Sequence, residues 1–241
     1  MGHGRHVSAS SPEISTVADQ LKINCIGLWP LNDNLPTKVV ADTSGRGHYG
    51  TTYFNTEDFS VAGKINRALY CQKGPSIPES KFVTVPHHED FNFGTSKDFS
   101  VCFWFQRKAT ANFKYLDYFH SAAGWYFVGS RGNKMCLNLK PYNSTDITVT
   151  SVSEISNNIW YFVLVTVSRV GTMKLYWNGN YESQSVSIAG TPTIEDGQDL
   201  LIPDTDSGYN VYMDSVMLFK KSLTAAEIAY LWNFGNGREH F

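Results

Sequence analysis

The 241-residue sequence has no apolar run near the roughly 20 residues that a membrane-spanning helix needs, so membrane insertion by a helix is not expected. Lys and Arg nowhere cluster, charged residues make up only 17%, and the formal net charge is −2. Without a basic patch there is no broad attraction to nucleic acid or to an anionic membrane, and neither is expected as a partner. Met1–Gln20 is polar and Ser-rich and lacks the apolar core of a secretory signal. Residues 1–22 therefore read as a flexible arm or linker, and 23–241 as one folded domain, a common length for an all-β unit.

Cysteine is sparse. Cys25, Cys71, Cys102 and Cys136 lie far apart, form no CxxC, and have no histidine spaced to complete a zinc pattern. Each sits in an apolar run, so they read either as buried free thiols or, if the chain matures outside a cell, as one or two disulfides. Catalytic signatures are missing too. There is no Gly-x-Ser-x-Gly elbow, P-loop or His-Glu-x-x-His. Two acids alternating along one strand could flank a glycosidic bond, but Glu57-Asp58, Glu89-Asp90 and Glu195-Asp196 are adjacent pairs, which point to opposite faces of a strand. No catalytic residue is assigned. His87-His88-Glu89-Asp90 is the densest polar cluster, yet neighbours in extended chain diverge and Pro86 marks a surface loop, so it reads as a loop rather than a metal site.

Alternation of period two is abundant. Asp98–Gln106 puts Phe99, Val101, Phe103 and Phe105 on one face, and 158–168 is a nearly continuous apolar run, as in a central strand covered on both sides. Asn178-Gly179 between strand-like flanks predicts a type I′ hairpin. Further strands are expected at 24–29, 48–53, 68–72, 81–85, 113–119, 125–128, 134–139, 146–150, 181–188, 200–203 and 210–220, with turn residues between them. Together they predict an all-β, two-sheet antiparallel jelly-roll sandwich. One helix is expected near the C-terminus, with Thr224 as N-cap, Glu227 completing a capping box, Leu223 and Ile228 as a staple, and Gly235 as terminator.

Several segments occur in an order that resembles the laminin-G-like/concanavalin-A-like lectin/glucanase superfamily, in its bacterial and phage-type members. They are Gly27-Leu-Trp-Pro-Leu, Asp42-Thr-Ser-Gly45-Arg-Gly47, Gly63-Lys64-Ile65-Asn66-Arg67-Ala68-Leu69, Asp98-Phe-Ser-Val-Cys-Phe-Trp-Phe, Asn158-Ile-Trp160-Tyr-Phe, Leu175-Tyr-Trp-Asn178-Gly179, Tyr212-Met-Asp214-Ser-Val-Met-Leu-Phe219 and Leu231-Trp-Asn-Phe-Gly-Asn-Gly-Arg238. They span about residues 24–238. Tyr161 stands where the family usually has His. The resemblance implies a jelly roll, and a structural calcium ion held between Asp42 and Asp214. Those two acids have a second reading, as turn residues that bind backbone amides. Asp204-Thr-Asp206-Ser-Gly208 looks superficially like a calcium loop but lacks the distal Glu, and reads as a turn.

Fold alone does not set function. Sugar recognition calls for an aromatic platform beside hydrogen-bonding groups, and Tyr142, Tyr118, Trp125 and Tyr176 are the candidate ligand residues. Tyr142 has the best claim, because it lies in the polar segment 141–146. The expectation is a non-catalytic carbohydrate- or receptor-binding adhesion module on an extracellular or virion surface. Its partner is then a glycan or cell-surface receptor. The rivals are a structural or decoration protein of a phage or other virion, contacting neighbouring assembly proteins, and an unrecognised glycosidase.

Overall fold

The computed structural model describes residues 16–73, 81–110, 112–118, 124–182, 186–190, 192–194, 197–204 and 209–241. The Glu195-Asp196 pair, residues 205–208 of the Asp204 loop and the first fifteen residues of the expected arm lie outside these.

In chain order the elements are helix α1 (Val17–Asn24), β1 (Cys25–Trp29), β2 (Val39–Val40), β3 (Gly50–Thr52), β4 (Ser60–Ala62), β5 (Arg67–Lys73) and β6 (Val83–Val85). Then come β7 (Phe99–Arg107), β8 (Phe113–Tyr118), β9 (Trp125–Arg131), β10 (Lys134–Lys140), β11 (Ile147–Glu154) and β12 (Trp160–Val167). The last are β13 (Thr172–Trp177), β14 (Asn180–Tyr181), β15 (Val186–Ser187), β16 (Leu200–Ile202), β17 (Tyr209–Phe219) and helix α2 (Ala225–Trp232). Short 3-10 turns occur at Thr56–Asp58, Glu89–Phe91 and Asn233–Gly235.

The larger sheet runs β14-β13-β12-β7-β17-β5-β4, with β1 also on β17 and β15 on β13. The smaller runs β11-β10-β9-β8-β16-β6-β3-β2. All registered pairs are antiparallel, and the two sheets form a sandwich. Alternation decides what lies between them. Phe99, Val101, Phe103 and Phe105 of β7 point inward as expected, and meet Tyr126, Tyr115 and Val128 from the smaller sheet in one core cluster. The Asn178-Gly179 turn has φ of 49° and 80°, the left-handed pair that a type I′ hairpin needs.

The outer face of the larger sheet is closed over half its length. Ser100, Cys102 and Trp104 of β7 point out of the sandwich and are still buried. Phe162, Leu164, Met217 and Phe219 share this second cluster with Leu21 of α1 and Ile228 and Leu231 of α2. That packing corrects the expected arm. Thr16 caps α1 through a reciprocal box with Asp19, and the helix buries Leu21, so residues 16–22 belong to the fold. A single buried leucine in a polar stretch gave too weak a periodic pattern to read as a helix.

Helix α2 begins as expected, with the Thr224–Glu227 box and both staple residues buried. It ends earlier. Asn233 takes the left-handed cap (φ 48°), ahead of Gly235, and Arg238 donates to its side-chain oxygen. Thr224→Ala is expected to lower stability by about 1 kcal/mol with no change in denaturant slope, which urea unfolding will show.

Of the expected strand at 181–188, Tyr181 falls in β14 and Val186–Ser187 form β15, with 183–185 outside the described residues, and β2 and β4 are short pairings that the pattern did not mark. All four cysteines are free and buried. Burial pushes the Cys25 thiol up to about 12 and the Cys136 thiol up to about 11, which keeps both protonated and unreactive.

Candidate binding face on the larger sheet

Where the helices stop, the outer face of the larger sheet opens. Register alone assembles what lies there. Tyr212 of β17 sits opposite Tyr70 of β5 on one side and Gln106 of β7 on the other, and Gln106 sits opposite Trp160 of β12. Four strands thus put Tyr70, Tyr212, Gln106 and Trp160 in one row across the sheet. Asn210 lies beside them, paired with Gln72. All are partly exposed, unlike Trp104 and Phe162 two residues along β7 and β12.

The row is organised by its own contacts. Tyr70 and Tyr212 meet edge to face with centroids 5.0 Å apart, and Trp160 lies 6.3 Å from Tyr212. The Lys108 ammonium stands 4.3 Å from the Tyr212 ring centre and donates to Gln106 Oε1 at 3.0 Å. The Tyr70 hydroxyl donates to Asn210 Oδ1 at 2.9 Å. Burial beside Tyr212 holds the Tyr70 phenol above its ordinary value, so it stays a donor at neutral pH. Half-exposed ring faces, amides and one cation can stack on a sugar ring and hydrogen-bond its hydroxyls.

The residues singled out from sequence are scattered. Tyr118 is fully buried, an inward residue that donates to Asn92 Oδ1 at 2.7 Å, and cannot serve as a surface platform. Trp125 lies on the outer face of the smaller sheet, stacked on Phe127 at 5.7 Å and almost wholly covered. Tyr176 shares the larger sheet's outer face, but beside Tyr181 on the hairpin rather than in the row. Tyr142 is 47% exposed in the loop after β10, as its polar surroundings suggested. Tyr70, Tyr212, Gln106 and Lys108 were not singled out, and Trp160 was read only as part of a strand.

Asp42 and Asp214 are each wrapped by donors. Asp42 accepts Leu28 and Ser44 amides on Oδ1 and the His48 amide and Ser44 hydroxyl on Oδ2. Asp214 Oδ2 accepts the Lys64 and Ile65 amides at 2.8 and 2.9 Å, and Oδ1 accepts the Ser215 hydroxyl at 2.7 Å. This explains the Gly63-Lys64-Ile65 segment: a Cβ at Gly63 would stand 2.7 Å from the same carboxylate oxygen. These are the backbone amide contacts that the turn reading expects of both acids. The expected result is a thermal midpoint that is the same in millimolar calcium as in chelator. A rise under calcium that Asp42→Asn abolishes would put the ion at this pair.

Ser215 also reaches toward Glu239, at 3.4 Å, so two carboxyls lie close together. Both are buried, and Glu239 is occupied by the Asn32 and Asn66 amides. They fasten the C-terminal segment to the sheet.

With this geometry the family can be stated. The chain belongs to the concanavalin A-like lectin/glucanases superfamily, whose pattern matches residues 78–229. Among individual proteins it is similar to botulinum neurotoxin type C of Clostridium botulinum C phage, 26% identical over 183 residues, covering 66% of this chain and 14% of the toxin. It also resembles the solved binding domain of Paraclostridial Mosquitocidal Protein 1, with a TM-score of 0.72 at 17% identity over 89% of this chain and 53% of that one. The binding domain of botulinum neurotoxin serotype G gives a TM-score of 0.71 at 17% identity, covering 88% and 51%. The chain therefore spans about half the length of these solved domains and a small part of the toxin.

Proposed function

We propose that this chain is a non-catalytic module that binds a glycan, or a glycosylated receptor, on a cell surface, and that it acts outside the cell. The observation that carries the reading is the partly exposed Tyr70–Tyr212–Gln106–Trp160 row with Lys108 and Asn210 at its edge. Rings of this kind offer apolar area at low entropic cost, and the amides beside them give direction to sugar hydroxyls. The similar solved domains support the reading: one is the receptor binding domain of botulinum neurotoxin D, and another is a neurotoxin binding domain in complex with rat synaptotagmin II. At 16–17% identity they share a fold with this chain, and the task comes only by analogy.

A glycan array probed with the full chain tests it. Binding to at least one glycan class is expected, weakened tenfold or more by Trp160→Ala and by Tyr212→Ala, which is about 1.4 kcal/mol per ring. A chain that binds no glycan, or binds equally well with both rings removed, refutes the reading. Hydrolysis of any member of a polysaccharide panel would restore the glycosidase instead.

A further inference from the structure

The 87–90 segment is not the divergent extended chain that its sequence suggests. It turns into the 3-10 helix Glu89–Phe91, with His88 as the N-cap, and this folds the Asp90 carboxylate back toward the His88 ring. A third group comes from forty residues earlier. His48 stands with its ring centre 4.3 Å from that of His88, and its Nε2 is 3.1 Å from Asp90 Oδ2. His88 Nδ1 is 3.4 Å from the same oxygen. One ligand atom from each of the three residues lies within 4.8 Å of the others.

We infer that His48, His88 and Asp90 form a site for a divalent first-row transition metal of the zinc class. Zinc bonds nitrogen and carboxylate oxygen at about 2.0–2.1 Å, so neighbouring ligands of a tetrahedral ion stand about 3.3–3.4 Å apart. The two imidazole–carboxylate separations, 3.1 and 3.4 Å, bracket that value, and the third, between the two imidazole nitrogens, is within 4.8 Å. Two imidazoles and one carboxylate suit zinc, nickel or copper far better than calcium or magnesium, which require oxygen-rich shells. His48 is held from both ends of its backbone: its amide donates to Asp42 Oδ2 at 2.8 Å and its carbonyl accepts the Trp29 indole at 2.8 Å. Phe91 packs 5.0 Å from its ring. This ligand is preorganised, whereas His88 is exposed and Asp90 partly so, and they leave the remaining position open to water or to an outside ligand.

Binding displaces two contacts. His48 takes the tautomer with its hydrogen on Nδ1, so that neutral Nε2 presents a lone pair to the ion, and the Asp90 amide, which now donates to His88 Nδ1 at 3.1 Å, gives up that acceptor. The ion would then join the loop after β2 to the turn after β6, which already touch through His48, Asp90 and Phe91.

Zinc titrated into the full chain, with His3→Ala and His6→Ala in the background to remove the N-terminal histidines as ligands, is the test. One equivalent is expected to bind and to raise the thermal midpoint, with chelator reversing the rise. His88→Ala and Asp90→Asn should each weaken binding tenfold or more, while His87→Ala, which alters a neighbour outside the triad, should not. Circular dichroism of the variants keeps a folding defect distinct from a lost ligand, and His88 is exposed enough for its removal to be tolerated. Absence of a stoichiometric zinc ion, or binding that His88→Ala leaves intact, overturns the site.

Discussion

Replacing Arg107 with leucine is expected to lower the stability of the fold by about 2–3 kcal/mol, read as a fall in the urea midpoint at unchanged slope. Arg107 ends β7 on its inward face and is almost wholly buried. Its guanidinium donates to the carbonyls of Gly132 and Ile155 at 2.9 and 2.6 Å, and to the side-chain oxygens of Asn157 and Asn133 at 2.8 and 3.0 Å. One planar fork thus joins the β9–β10 turn and the β11–β12 loop to the central strand. Removing it strands the buried Ile155 carbonyl at about 1–3 kcal/mol and leaves the acceptors on exposed Gly132, Asn133 and Asn157 to water, while a leucine side chain recovers part of the loss by packing. Arg107→Lys keeps the charge but spans fewer acceptors, and should recover less than half. Gln106 and Lys108 flank this anchor, so ligand binding should weaken together with stability. A leucine variant within 1 kcal/mol of the parent would show that the loops hold themselves.

How much of this was legible in the sequence follows from period. Phe99 to Phe105 declared an inward face because alternation survives any detail of pairing. Asn178-Gly179 declared a hairpin because few residues tolerate its φ values. The 158–168 run read as a strand covered on both faces, and α1 and α2 supply the second cover. The binding face could not be read in the same way. Tyr70, Tyr212, Gln106 and Trp160 come from four strands that are neighbours in space but far apart in sequence, and only register lines them up. Tyr118 looked as eligible as any of them. Its parity in β8 turns it into the core opposite Tyr126, and a shift of one residue would have turned it out. One signal was available: Gln106 is the first polar residue on the outer side of β7 after Cys102 and Trp104, which marks where the cover ends. His48 and the 87–90 segment met for a similar reason, since nothing local links residues forty apart.

Wild-type protein is expected to lose stability as pH rises from about 4 to about 7, by up to about 4 kcal/mol, and Asp214→Asn is expected to remove most of that loss. Burial raises the Asp214 carboxyl from its ordinary 3.8 to about 7, the neighbouring charge of Glu239 adds to the effect, and the Ile65 and Lys64 amides and the Ser215 hydroxyl oppose it. Between those two values the native state holds a proton that the unfolded chain has released. The unfolded state therefore binds fewer protons, and stability falls with pH across this window before levelling above it. The bulge that interrupts pairing between Asp214 and Met217, with Ser215 at φ 51°, is what turns the carboxyl onto the Lys64 and Ile65 amides. Asparagine can keep both of these acceptor contacts and point its amide at the Ser215 oxygen, without the cost of a buried charge. Urea unfolding at pH 5 and pH 8 decides the matter. The variant should gain on the parent at pH 8 and give no such advantage at pH 5, whereas parallel profiles would mean that Asp214 is ionised throughout and that its amide donors outweigh its burial.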